Sequence, residues 1–90
     1  MAWPKAMPIV GVEWVDSTRH GGWQSEETYK ASMNDDTLAC RSTGYLLHKD
    51  KRYVAVALNR SSCGNICDVM QIPRSAVRSI RVIEKPQRTK

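Results

Sequence analysis

Two histidines, three cysteines and a run of arginines near the C-terminus are the residues of this chain whose types invite chemistry. A nucleophile working with a base needs Ser or Cys beside His, supported by a carboxylate. Cys40 and His48 are eight apart in one expected strand, so alternation puts them on one face but about 26 Å apart at roughly 3.3 Å per residue. They cannot touch directly. His20 stands in the glycine-containing stretch "RHGGW", where a lone histidine is normally solvated. That loop could turn backbone N–H groups toward a phosphate, yet it lacks the Lys-Ser/Thr ending and the strand-to-helix setting of a P-loop. Cys63 and Cys67 could join His48 or His20 around a metal, but C-x3-C without a second ligand pair is poor zinc spacing. The chain therefore reads as a non-enzymatic protein with no cofactor and no metal.

Binding is better supported than catalysis. The net charge is +5, and residues 74–90 carry six Lys/Arg against Glu84 alone, while residues 1–73 balance eight against eight. A basic segment favours anionic partners such as nucleic acid, nucleotides or an acidic protein surface. Arg74, with Arg78 and Arg81 on the last strand, offers guanidinium forks that hold phosphate bidentately. Lys49, Lys51 and Arg52 add a second cluster in an expected hairpin turn. Trp23 and Tyr45 offer rings for base stacking, a contact worth roughly 1–3 kcal/mol per base. The competing interpretation makes Trp14 and Tyr53 core residues, Trp23 the residue fixing the helix entry, and the arginines solvated surface.

The elements that must position these groups fit one domain, because 90 residues make a small core of modest independent stability. That small core, an apolar arm with Trp3 and Met7, and a third strand apolar on both faces lead us to expect a homo-oligomer. No apolar run approaches the roughly 20 residues that span a bilayer, so no membrane association is expected. The opening "MAWPKAMPIVGVEW" has no secretory pattern, which makes the cytoplasm the expected location. Cys40, Cys63 and Cys67 are an odd number in such a chain and are expected as reduced thiols.

Residues 1–8 read as an irregular arm, 9–84 as the folded domain and 85–90 as a basic flexible tail. "IVGVEWVD" alternates like a strand. Gly21 and Gly22 supply a turn, after which Ser25 caps a short helix with Glu26 and Glu27 opposing its dipole and Tyr29 and Met33 on one face. "TLACRSTGYLLHKD" and "KRYVAVALNR" form a hairpin around "HKDKR", and the second of these, with Val54, Val56 and Leu58 on one face, is expected at the sheet centre. "ICDVMQI" is a fourth strand stopped by Pro73, "PRSA" has room for one 3₁₀ turn, and "VRSIRVI" is a fifth strand. The fold class expected is mainly β: a small five-stranded antiparallel barrel with one short helix between strands 1 and 2. A barrel closes its own edges, whereas the alternative, an open five-stranded sheet with the helix packed on one face, leaves two edges to protect.

The segment "DVMQIPRSAVRSI" resembles the SH3-like barrels, and the Sm-like proteins among them, in which one 3₁₀ turn leads from the fourth strand into the fifth. Sm-like proteins begin with a helix, whereas here the helix falls between the first two strands. The motifs "VEWVDS", "GGWQS", "CRSTGYLL", "VAVAL" and "IPRSAV", in that order over roughly residues 10–83, are also similar to small uncharacterised phage and prophage proteins. That resemblance implies a viral setting, with the host cytoplasm as location, and no particular reaction. Two functions follow as expectations. One is a binding protein for an anionic nucleotide-type ligand, either RNA or a signalling nucleotide, in the second case sequestering a host defence messenger. The other is a protein inhibitor docking on an acidic host surface.

Overall fold

The computed structural model describes residues 6–34 and 38–86. In chain order the elements are β1 (Ile9–Val15), α1 (Glu26–Ser32), β2 (Ala39–Lys49), β3 (Tyr53–Arg60), β4 (Ile66–Pro73), a 3₁₀ turn (Arg74–Ala76) and β5 (Val77–Glu84). The strands form one sheet in the order β4-β3-β2-β1-β5, with every neighbouring pair antiparallel. The molecule is mainly β, and its sheet is open, with no ladder between β4 and β5 among the described residues. Of the expected arm, Trp3 lies outside the described residues. So do the tail residues 87–90.

β3, expected at the sheet centre from its apolar faces, is interior, between β4 and β2, and the middle strand of the five is β2. An eleven-residue strand can serve two partners: β2 pairs with β1 over Ala39–Tyr45 and with β3 over Tyr45–Lys49. Gly44 sits at this changeover. A Cβ there would lie 2.5 Å from the Ala57 carbonyl oxygen, so only glycine admits the close approach of β3. The ladder then slips between Leu46 and His48, and an extra residue of this kind bends a strand and increases its twist. The slip also breaks the alternation that would set Cys40 and His48 on one face.

The 3₁₀ turn gives a second measure of the bend. From Pro73 to Val77 is four residue steps, at most about 14 Å of chain. In a flat sheet β4 and β5 would stand four strand spacings apart, about 19 Å. The sheet must therefore curl so that its two edges come together at this joint.

The curl encloses the core. Val10 and Val12 from β1 meet Val54 and Val56 from β3 and Ile72 from β4, with Trp14, Leu46, Ala76, Val77 and Ile80 packed around them. Burying each such aliphatic side chain contributes about 1.5–3 kcal/mol. Trp14 keeps its polar end satisfied by donating Nε1–H to Ser42 Oγ at 3.0 Å. Leu58, expected beside Val54 and Val56, is 63% exposed because it lies beyond the part of β3 that the curl covers.

Between β1 and β2 the chain leaves the sheet. Asp16 N–H donates to the Leu38 carbonyl at 2.9 Å across the base of this excursion. Ser25 caps α1 as its sequence suggests: Oγ accepts from Thr28 N–H at 3.0 Å. Glu26 and Glu27 occupy the first turn, and Lys30 pairs with Glu26 at 2.7 Å. Yet α1 buries no residue. Tyr29 is half-buried against its own loop, with the His20 ring edge-on at 5.3 Å.

Candidate anion-binding corner

The β2–β3 turn is organised by one carboxylate. Asp50 Oδ1 accepts the backbone N–H of Arg52 at 2.7 Å and of Tyr53 at 2.8 Å, and Oδ2 accepts from His48 Nε2 at 2.7 Å. Asp50 N–H donates in turn to the Tyr53 carbonyl at 3.0 Å. A carboxylate that accepts several N–H bonds is favoured in its charged form. The His48 hydrogen bond first, then the N–H groups of Tyr53 and Arg52, lower the Asp50 pKa to about 2. The only acid of the turn is thus spent on holding its shape, and Lys49, Lys51 and Arg52 all stand exposed.

A second segment joins this turn through the backbone. Arg74 N–H donates to the Arg52 carbonyl at 2.8 Å, and Tyr53 pairs with Pro73 in the ladder beside it. Pro73 has no N–H to donate, so the strand ends and the 3₁₀ turn begins at this point. Four cationic side chains, Lys49, Lys51, Arg52 and Arg74, therefore leave one corner of the fold. Among the described residues none of them is in an ion pair with a carboxylate. The Arg52 guanidinium lies over the Tyr53 ring, 5.3 Å from its centroid, a contact that leaves its N–H groups available around the rim.

The remaining sequence candidates go elsewhere. Arg81 stands opposite Gly11 and lines a shallow recess of about 140 Å³ with Glu13, Arg41, Thr43, Ser79 and Ile83. Arg78, an extra residue where the β1–β5 ladder slips, borders the Glu13, Trp14 and Arg41 surface. Arg74 is thus grouped with the hairpin cations, while Arg78 and Arg81 share the surface of the Glu13–Arg41 pair, whose Nε to Oε1 distance is 2.9 Å. Tyr45 is half-buried with the Arg60 guanidinium 5.5 Å from its centroid, so one face of its ring already carries a cation. Trp23 is 104% exposed, standing clear of the molecule and fixing no helix entry.

Asp50, Arg41 and Arg60 were not singled out by sequence reasoning. Asp50 had a readable signal, because an Asp at a turn commonly binds backbone N–H groups two and three residues on. The positions of Arg41 and Arg60 depend on strand register and had none.

Cys40 is half-buried, with its Sγ 3.5 Å from the Leu38 carbonyl oxygen, and Cys63 and Cys67 are exposed around the β3–β4 turn. All three are free thiols. Among the described residues no three His, Cys, Asp or Glu side chains gather as metal ligands, and no helix is long and apolar enough to cross a membrane. Comparison of the chain with family models, with curated proteins and with solved structures gives no match.

Proposed function

We propose that this protein is a non-enzymatic binding protein that holds an anionic nucleotide-type ligand, a signalling nucleotide or RNA, at the corner formed by Lys49, Lys51, Arg52 and Arg74. The observation that carries the reading is the Arg74 N–H bond to the Arg52 carbonyl. It joins two basic segments far apart in sequence. Arginine forks and lysine point charges recognise phosphate, and the bonded backbone beneath them needs no ordering when the ligand arrives. In this reading the curled sheet is the wall of an SH3-like, Sm-like barrel, supported by the β5-beside-β1 order and the 3₁₀ joint. A phage or prophage setting, with sequestration of a host messenger in the host cytoplasm, goes with the proposal and rests on the motif order described above.

Ligand binding to the native state raises apparent stability. Thermal shift of the pure protein with cyclic nucleotides, short RNA and inorganic polyphosphate therefore tests the proposal. A rise in Tm that disappears in an Arg52→Ala, Arg74→Ala double variant supports it, and no shift with any of the three removes it. The fully exposed Trp23 favours a second reading, a protein inhibitor docking on an acidic host surface, since an aromatic anchor is a frequent centre of protein interfaces. Under that reading Trp23→Ala abolishes capture of the host partner and nucleotides leave Tm unchanged.

A further inference from the structure

We propose that β4 pairs antiparallel with β4 of a second copy of this chain, extending the sheet across a twofold axis. The two edges of the sheet differ in how they meet solvent. β5 carries Arg78 and Arg81, and its ladder with β1 slips twice, between Ile9 and Val10 and between Glu13 and Trp14. Charged side chains, above all basic ones, prolines and bulges are devices that keep an edge from pairing. β4 has neither a Lys nor an Arg over Ile66–Pro73, its one proline is its last residue, its one charge is Asp68, and its pairing with β3 shows no register shift.

The side chains of β4 suit a covered strand. Val69 is 47% and Met70 44% exposed on opposite faces, and Ile66 and Leu58 are exposed beside them. Alternation would put the Asp68 carboxylate between Ile66 and Met70, opposite Leu58. Instead Asp68 adopts φ 59° and its Oδ2 accepts from Asn59 Nδ2 at 3.3 Å, on the face that carries Cys67 and Val69. An L-residue in the left-handed region is uncommon, and Asp tolerates it better than most. Here it leaves Leu58, Ile66 and Met70 without a charge among them.

Charge selects both the partner and the direction. A chain of net charge +5 repels its own copies except where its cations are missing, and of the two edges only β4 is free of them. The one charge on β4 is acidic, Asp68, and a basic residue, Arg74, follows its last position. Antiparallel pairing runs the acidic part of each strand toward the basic end of the other, whereas parallel pairing sets like on like. A stable interface buries about 800 Å² per partner, more than one edge strand provides, so the dimer dissociates on dilution.

Sedimentation velocity over a range of concentrations, with hydrogen exchange in parallel, tests this. We expect a monomer–dimer equilibrium in which those amides of residues 69–72 that point away from β3 gain protection with concentration and those of β5 do not. Val69→Lys should abolish the dimer, while Val82→Lys, the same change at an exposed valine on the other edge, should leave it intact. Circular dichroism shows whether each variant is folded, and the wild-type exchange pattern decides the matter if Val69→Lys is not. A monomer at every concentration, assemblies larger than a dimer, or loss of association in Val82→Lys alone would overturn the proposal.

Discussion

The two connections that flank β2 treat their side chains in opposite ways. The β2–β3 turn is three residues long, tied by Asp50 to its own backbone and by the Arg52 carbonyl to the 3₁₀ turn. The β1–β2 excursion is far longer and holds a properly capped helix, yet no residue of α1 is fully buried and Trp23 is fully exposed. Local helix signals are satisfied there with no fully buried side chain to hold the helix to the sheet, and short helices draw most of their stability from such packing. Charge is therefore presented from bonded backbone, while Trp23, the most exposed aromatic ring among the described residues, is presented from an excursion outside the sheet.

Four substitutions sharpen this contrast, in decreasing order of effect. Ile72→Ala empties the core where β4 meets the curl and should cost about 2–5 kcal/mol, read as a lower midpoint in urea unfolding. Gly44→Ala forces a Cβ onto the Ala57 carbonyl oxygen and should cost about 1–3 kcal/mol, the usual range for overpacking. If Gly44→Ala leaves the unfolding midpoint unmoved, β3 does not approach β2 as closely as described. Asp50→Ala should lower Tm by less than either and should weaken anion binding, because the turn that aims Lys49, Lys51 and Arg52 loses its acceptor. Ser25→Ala should remove about 1 kcal/mol of local helix stability, lowering helical signal in circular dichroism while leaving the unfolding midpoint of the sheet in place.

The turn also has a pH signature. The folded Asp50 pKa of about 2 lies below its ordinary value of 3.8, so its contribution is fully present above that ordinary value. It is lost as pH falls toward 2. In an NMR titration the carboxylate-linked movement of the Arg52 and Tyr53 amide resonances should come as pH falls toward 2, well below the ordinary value of 3.8. Movement centred at the ordinary value would mean that Asp50 does not hold these groups.

The contrast also separates what the sequence made legible from what it did not. Ser25 with Glu26 and Glu27 announced α1, and Pro73 before "RSA" announced the 3₁₀ turn, because caps and prolines act over a few residues. The five strands and their antiparallel pairing followed from alternation. The central position of β2 did not, because apolarity on both faces of β3 looks the same for any interior strand. Nor did the bend at Gly44, which is set by the Ala57 carbonyl of another strand. Arg78 and Arg81 appeared to belong with Arg74 because they are close in sequence. The structure groups Arg74 with Arg52 through a hydrogen bond spanning the whole of β3 and β4, and no local pattern encodes such a bond.

The most direct measurement is NMR mapping of backbone amides during titration with inorganic polyphosphate at low salt. We expect the amides of residues 49–53 and 74–76 to shift together along a single saturation curve, with Arg52→Ala weakening the curve for both segments. Shifts confined to Trp23 and α1, or to the surface around Arg78 and Arg81, would contradict the assignment of the anion site to the β2–β3 corner.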